Sequence, residues 1–252
     1  LKMIDLNCDL GESFGTYKIG KDEEVLSFIS SANVACGFHA GDPHVINQTV
    51  QLAKKYGVAI GAHPGFQDLV GFGRRAMAVS PKDVYDLVLY QIGALSAFCK
   101  AHEVKLSHVK PHGALYNMAA VDTTLAEAIA EAVRIFDPTL SLYGLAGSRL
   151  VAAGEEYGLH TVSEVFADRT YQPNGTLTPR TQEGAVIHDS NVAIKQVLQM
   201  VKEQTVQTIT GEIIPIKADS ICVHGDNDHA LQFVQELRQA LTNEGITIKA
   251  IR

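Results

Sequence analysis

A chain of 252 residues is about the length of one β/α barrel and can bury a large core. At 46% hydrophobic and 19% charged its composition is that of an ordinary globular protein. A formal net charge of −7 with no basic cluster argues against a nucleic-acid or anionic-membrane partner, and no apolar run approaches the roughly 20 residues of a membrane span.

In chain order, the N-terminal segment enters a strand without a signal-peptide pattern: Ile4, Leu6 and Cys8 face one way, Asp5, Asn7 and Asp9 the other. A second strand, Ala32–Ala35, runs into Cys36-Gly37-Phe38-His39. Asp42-Pro43 sets an N-cap and a first-turn proline for a helix that stops at Gly57. A strand at 58–62 ends at His63-Pro64-Gly65, and Ser80-Pro81 opens a long helix reaching about His102. The strand at 104–110 ends in Lys110-Pro111-His112-Gly113, and a helix over Thr123–Phe136 is closed by Asp137-Pro138. A strand at 140–145, a helix over Ser148–Tyr157 and a strand at 159–166 follow. The polar stretch Phe166–Asp189 reads as a long functional loop. After a helix over Asn191–Glu203, the β-branched run Thr205–Lys217 around Gly211-Glu212 reads as a hairpin. A strand at 219–224, a helix over Asp228–Asn243 and a strand at 246–251 complete the chain.

This alternation predicts a parallel sheet with crossover helices, in a single catalytic domain spanning 1–252. Strands polar on one face favour a closed β/α barrel over an open sheet, whose strands would be apolar on both faces. The pattern counts to seven or eight strands. Cys8, Cys36, Cys99 and Cys222 form no Cys-x-x-Cys pair, which predicts buried thiols and a reducing, cytoplasmic setting.

The chemistry gathers where the strands end, on the rim where sites of parallel α/β proteins form. Asp9 and Glu12 leave the first strand as a carboxylate pair suited to general acid–base work, with Asn7 on the same inward face. His39 and His44 bracket a helix start, but a spacing of five misses the same-face spacing of four that marks a zinc motif. No metal ligand is assigned; a divalent metal held by Asp9, His39, His44 or His63 stays an open alternative. Arg74-Arg75, amid glycines and phenylalanines, suit a clamp on a carboxylate or phosphate. An inward lysine at Lys110, followed by His112, serves either a Schiff base or electrostatic stabilisation of an oxyanion. Glu164, Asp168, Arg169 and Arg180 surround the long loop, and His224 with Asp226 makes an acid–histidine pair at the last rim position. Neither a G-x-x-x-x-G-K-[ST] P-loop nor a G-x-S-x-G elbow occurs.

Taken together, the segments resemble the LamB/YcsF family. The resemblance rests on Asp5-Leu6-Asn7-Cys8-Asp9-Leu10-Gly11-Glu12, on Asn33 through Pro43 and on Gly61-Ala62-His63-Pro64. It continues through Gly71-Phe72-Gly73-Arg74-Arg75, Val109 through Tyr116, Glu164 through Arg169 and Cys222-Val223-His224-Gly225-Asp226. It implies a seven-stranded variant of the β/α barrel, related to glycoside hydrolase and deacetylase barrels. It also implies cleavage of 5-oxo-L-proline to L-glutamate coupled to ATP hydrolysis, with two further subunits. ATP is then expected on a partner, though an unconventional site here stays open. The resemblance does not fix individual roles; from the rim chemistry Asp9, Glu12, Lys110, His112, His224 and Asp226 are the catalytic candidates. Asn7, His39, His63, Arg74, Glu164, Asp168 and Arg169 are the substrate-binding ones. Two other readings compete: a stand-alone metal-dependent deacetylase or carbohydrate hydrolase, and a non-catalytic barrel that binds a small acid.

Overall fold

Period-two polarity on strands and cap-bounded apolar helices resolve into a closed parallel barrel in the computed structural model, which describes residues 2–225 and 227–251. Strand β1 (Met3–Leu10) leads through the short helix α1 (Asp22–Val25) to β2 (Ser31–Ala35). Then come α2 (Pro43–Tyr56), β3 (Ala59–His63), α3 (Pro81–Ala101) and β4 (Leu106–Val109). Helices α4 (Gly113–Ala119) and α5 (Thr123–Phe136) precede β5 (Ser141–Leu145), α6 (Arg149–Glu156) and β6 (Thr161–Phe166). Beyond the long loop lie α7 (Ser190–Glu203), the strands β7 (Thr205–Gln207) and β8 (Ile213–Pro215), then β9 (Ser220–Val223), α8 (Asp228–Asn243) and β10 (Thr247–Ile248).

Seven strands form the barrel in the order β1-β2-β3-β4-β5-β6-β9, and β9 returns to pair with β1. The count left open between seven and eight is settled by geometry. Asn7 is flanked by Ser31 on one side and Cys222 on the other, so most of β1 has no free edge. The expected terminal strand at 246–251 therefore shrinks to two residues that pair with Met3 and Ile4, below the closure. The hairpin expected over 205–217 forms as β7–β8.

The predicted caps are in place. Asp42 accepts the Val45 N–H, Gly57 ends α2 in the left-handed region, and Ser80 and Asp83 form a capping box at the start of α3. Helix α5 buries Leu125, Ile129 and Val133. All four cysteines are free and buried. No helix of the described residues is long and apolar enough to cross a membrane.

The barrel interior is polar in layers. At the bottom, buried Asp5 accepts hydrogen bonds from Ser30 Oγ at 2.6 Å, Ser31 Oγ at 2.7 Å, Ser220 Oγ at 2.6 Å and Tyr143 Oη at 3.0 Å. Above it Asn7 Nδ2 donates to Ser220 Oγ at 2.7 Å and Glu164 Oε2 at 2.8 Å, and Asn33 Nδ2 donates to Asn7 Oδ1 at 2.8 Å. His108 Nε2 closes the layer 2.7 Å from Asn33 Oδ1. Each of these buried side chains thus has a partner on another strand, which is the condition for keeping it away from water.

Candidate active site

Lys110 stands one residue past β4 with its side chain inside the barrel. Its Nζ lies 2.7 Å from Glu164 Oε2, 3.1 Å from Asp9 Oδ1, 3.1 Å from Asn7 Oδ1 and 3.3 Å from Cys222 Sγ. Burial alone would push the ammonium down, but Asp9 and Glu164 outweigh it and hold Lys110 well above its usual value. A lysine that stays protonated, with its three N–H groups engaged, offers no lone pair. Of the two roles open to Lys110, the geometry supports fixed positive charge rather than a Schiff base.

Asp9 shares that charge. Its Oδ1 also accepts from Asn33 Nδ2 at 2.9 Å, and its Oδ2 lies 3.4 Å from His63 Nε2. Burial opposes the ionised form, yet His63 and Lys110 keep the Asp9 carboxyl well below the usual range. Glu12 moves the other way: burial, then the Asp9 carboxylate, raise it to about 7. Two carboxyls a turn apart are thereby separated into an ionised and a readily protonated one.

Behind Asp9 three imidazoles pack together. His39 and His112 stack face to face with centroids 3.6 Å apart, and His63 meets them edge-on at 5.4 and 4.8 Å. His63 Nδ1 lies 2.6 Å from the Lys110 carbonyl oxygen and His112 Nε2 lies 2.8 Å from that of Phe72. A carbonyl only accepts, so both of these ring nitrogens carry hydrogen. His63 Nε2 and His112 Nδ1 then face each other at 2.9 Å. Fully buried His39 has neither nitrogen hydrogen-bonded, and its Nε2 lies 3.8 Å from Glu12 Oε1. Burial and the neighbouring His112 hold His39 well below its usual value; burial lowers His112 to about 3. Glu12, His39, His63 and His112 each offer a ligand atom within 4.8 Å of the others, the grouping among the described residues that could hold a metal.

Asp9, His63, Lys110 and His112 line a cavity of about 530 Å³, whose wall includes Arg74, Arg169, Arg180 and His224. A second cavity of about 370 Å³ shares Arg74, Arg180 and His224 and adds Asp168. His224 Nδ1 lies 3.2 Å from Asp168 Oδ2. Burial would lower His224, but the Asp168 hydrogen bond and charge outweigh it and raise the imidazole above its usual value. Asn7 and Glu164, which hold Lys110 Nζ, lie outside the main cavity's lining, as do Glu12 and His39.

Folding alters several sequence expectations. Arg75 is tied to Asp68, with Nε 3.1 Å from each carboxylate oxygen, so of the two adjacent arginines it is Arg74 that reaches the cavities. Arg169 spends donors on the carbonyl oxygens of Thr178 at 2.6 Å and Ala185 at 3.3 Å, which fastens the long loop. His44 is exposed in the first turn of α2 and outside the histidine cluster. Asp226 lies outside the described residues.

Other residues carried no assignment from sequence. Asn33 and His108 obey the same alternation as Asn7 and Lys110, which places them inside the barrel but names no role for them. Tyr116, buried on α4, depends on a helix with no strong local signal; burial, then the Glu164 carboxylate, push its hydroxyl well up. Arg180 lies in an irregular loop, where spacing carries no information.

The full length of the chain also matches known proteins. The A subunit of 5-oxoprolinase from Geobacillus thermodenitrificans is 62% identical over 252 residues, covering 100% of this chain and 98% of its own. The crystal structure of the lactam utilization protein of Thermus thermophilus superposes with a TM-score of 0.93 at 48% identity, covering 99% of this chain and 100% of that one. A family 4 carbohydrate esterase from Streptomyces lividans shares the fold alone, with a TM-score of 0.52 at 13% identity and coverage of 100% and 93%. The LamB/YcsF family model matches residues 4–252, and the chain belongs to the LamB/YcsF family.

Proposed function

We propose that this chain is the A subunit of an ATP-dependent 5-oxoprolinase, working in the cytoplasm with two partner subunits and opening the lactam of 5-oxo-L-proline to L-glutamate. The observation that carries the reading is the Lys110–Asp9–Glu164 charge cluster at the base of a small-molecule cavity bordered by Arg74 and Arg180. The relative at 62% identity, itself named as a 5-oxoprolinase component, supports it.

A five-membered lactam is a stable amide, and transfer of a phosphoryl group to its carbonyl oxygen makes the ring carbon electrophilic. Asp9, held ionised, is placed to orient water and take its proton as the oxygen–carbon bond forms. His224, whose protonated form Asp168 favours against burial, supplies a proton to the ring nitrogen as the carbon–nitrogen bond breaks. The resulting carboxyl phosphate is hydrolysed by a second water to glutamate and phosphate. Lys110 contributes positive charge where negative charge develops, and Arg74 or Arg180 pairs with the substrate carboxylate. ATP is the phosphoryl source, handled together with the partners.

The test is reconstitution. Glutamate release from 5-oxo-L-proline is expected only when this chain, both partner subunits and ATP are present together. No release from the complete set would overturn the proposal. The histidine–carboxylate grouping favours a second reading, a stand-alone metal-dependent deacetylase; release of acetate from acetylated sugars by the isolated chain would establish it.

A further inference from the structure

The histidine cluster beside Asp9 poses a problem of lone pairs. Because the outer nitrogens of His63 and His112 both donate to carbonyl oxygens, their inner nitrogens meet at 2.9 Å as two lone pairs when the rings are neutral. His39 adds a buried nitrogen without a hydrogen-bond partner. Its Nδ1 faces Gly65, where a Cβ would sit 2.6 Å away, so Nε2 is the atom turned toward Glu12 at 3.8 Å. With the rings neutral, the inner nitrogens of His63 and His112, the unpartnered His39 and the Glu12 carboxylate surround one gap, and Asp9 Oδ2 borders it 3.4 Å from His63 Nε2.

The geometry points to a divalent transition-metal site made by Glu12, His39, His63 and His112. Three imidazoles with one carboxylate suit zinc and its neighbours, whereas magnesium and calcium select oxygen. The hydrogen bonds from His63 to the Lys110 carbonyl and from His112 to the Phe72 carbonyl are the outer-sphere contacts that fix the tautomer of metal-binding imidazoles. The ligand atoms lie within 4.8 Å of one another, against about 3.4 Å between ligands of a tetrahedral site at the usual ~2.1 Å bond lengths, so occupancy draws the widest pair in by up to about 1.4 Å. The parallel rings of His39 and His112 cannot both hold an ion in their planes, and binding opens that stack by tilting one ring. His63 and His112 also line the main cavity, but metal binding by this cluster is read in the isolated chain without the lactam.

The experiment is titration of the chelator-treated, full-length chain with cobalt(II) and with zinc(II). The expected result is one equivalent of cobalt with visible ligand-field bands, displaced by zinc. The variants Glu12→Gln and His39→Gln, checked for folding by circular dichroism, are expected to weaken binding by more than the roughly 10–100-fold that outer partners are worth. Absence of stoichiometric binding in the wild type would mean that a shared proton alone separates His63 from His112, and the site is overturned. Undiminished binding in both folded variants overturns it equally. Cobalt binding without glutamate release from the reconstituted enzyme would separate the fate of this site from that of the lactam reading.

Discussion

Lys110 and Asp9 are neighbours 3.1 Å apart, yet their removal should have different consequences. Lys110→Met leaves Glu164, fully buried, without its cation, and the loss of one partner from a buried ion pair costs about 3–5 kcal/mol. Asp9→Asn keeps the shape and most hydrogen bonds of a side chain that is 19% exposed, so the fold should persist while turnover falls roughly 10²–10⁴-fold. Chemical denaturation together with the glutamate assay separates the two; equal stability losses would show that Lys110 is not the hub of the cluster. The His224–Asp168 pair makes a second prediction. Its imidazole titrates above the ordinary ~6.5 when folded, so its contribution to stability is fully present below about pH 6.5 and fades as pH rises through the raised value. Urea unfolding from pH 6 upward should show that decline in the wild type and lose it in His224→Gln. At this scale the sequence singled out Asp9, Lys110 and His224 because each sits where a strand pattern ends. It could not show that Arg75 is occupied by Asp68, or that Arg180 reaches both cavities, since those facts depend on loop paths without periodicity.

The strands and long helices were legible because their signals are local. Asp42-Pro43 and Ser80-Pro81 mark helix starts through hydrogen bonds made within three residues, and β1 alternates polarity residue by residue. The fate of 246–251 was not legible, because its shortening follows from β9 occupying the other edge of β1. Close packing between strands is equally nonlocal. In β3, a Cβ on Gly61 would lie 2.1 Å from His108 Nε2, inside the ring that supports Asn33. Gly61→Ala should therefore destabilise the chain by about 1–3 kcal/mol through overpacking and reduce turnover by displacing Asn33 beneath Asp9. A thermal melt checks the first effect and kcat the second; an unchanged melt would mean that His108 moves aside freely.

Across the whole molecule, the first and last barrel strands are knitted by the barrel's last seam. Strand β9 completes the ring between β6 and β1, and Ser220 reaches Asp5 across a separation of 215 residues. The sequence placed acidic and hydroxyl side chains on these strands but could not join them, since a closing register is a property of all seven staves at once.

That seam has a consequence for the chain as it is made. Asp5 precedes all of its hydroxyl partners in the chain, and the full set, Ser30, Ser31, Tyr143 and Ser220, exists only once residue 220 has been translated. Until then the carboxylate is better served by water, which holds β1 out of a prematurely collapsed core. A chain released before residue 220 should be aggregation-prone and protease-sensitive on the ribosome's timescale, while protection of the N-terminal strand should arrive abruptly with β9. Limited proteolysis of stalled nascent chains of increasing length measures this directly; early, gradual protection of β1 would refute it.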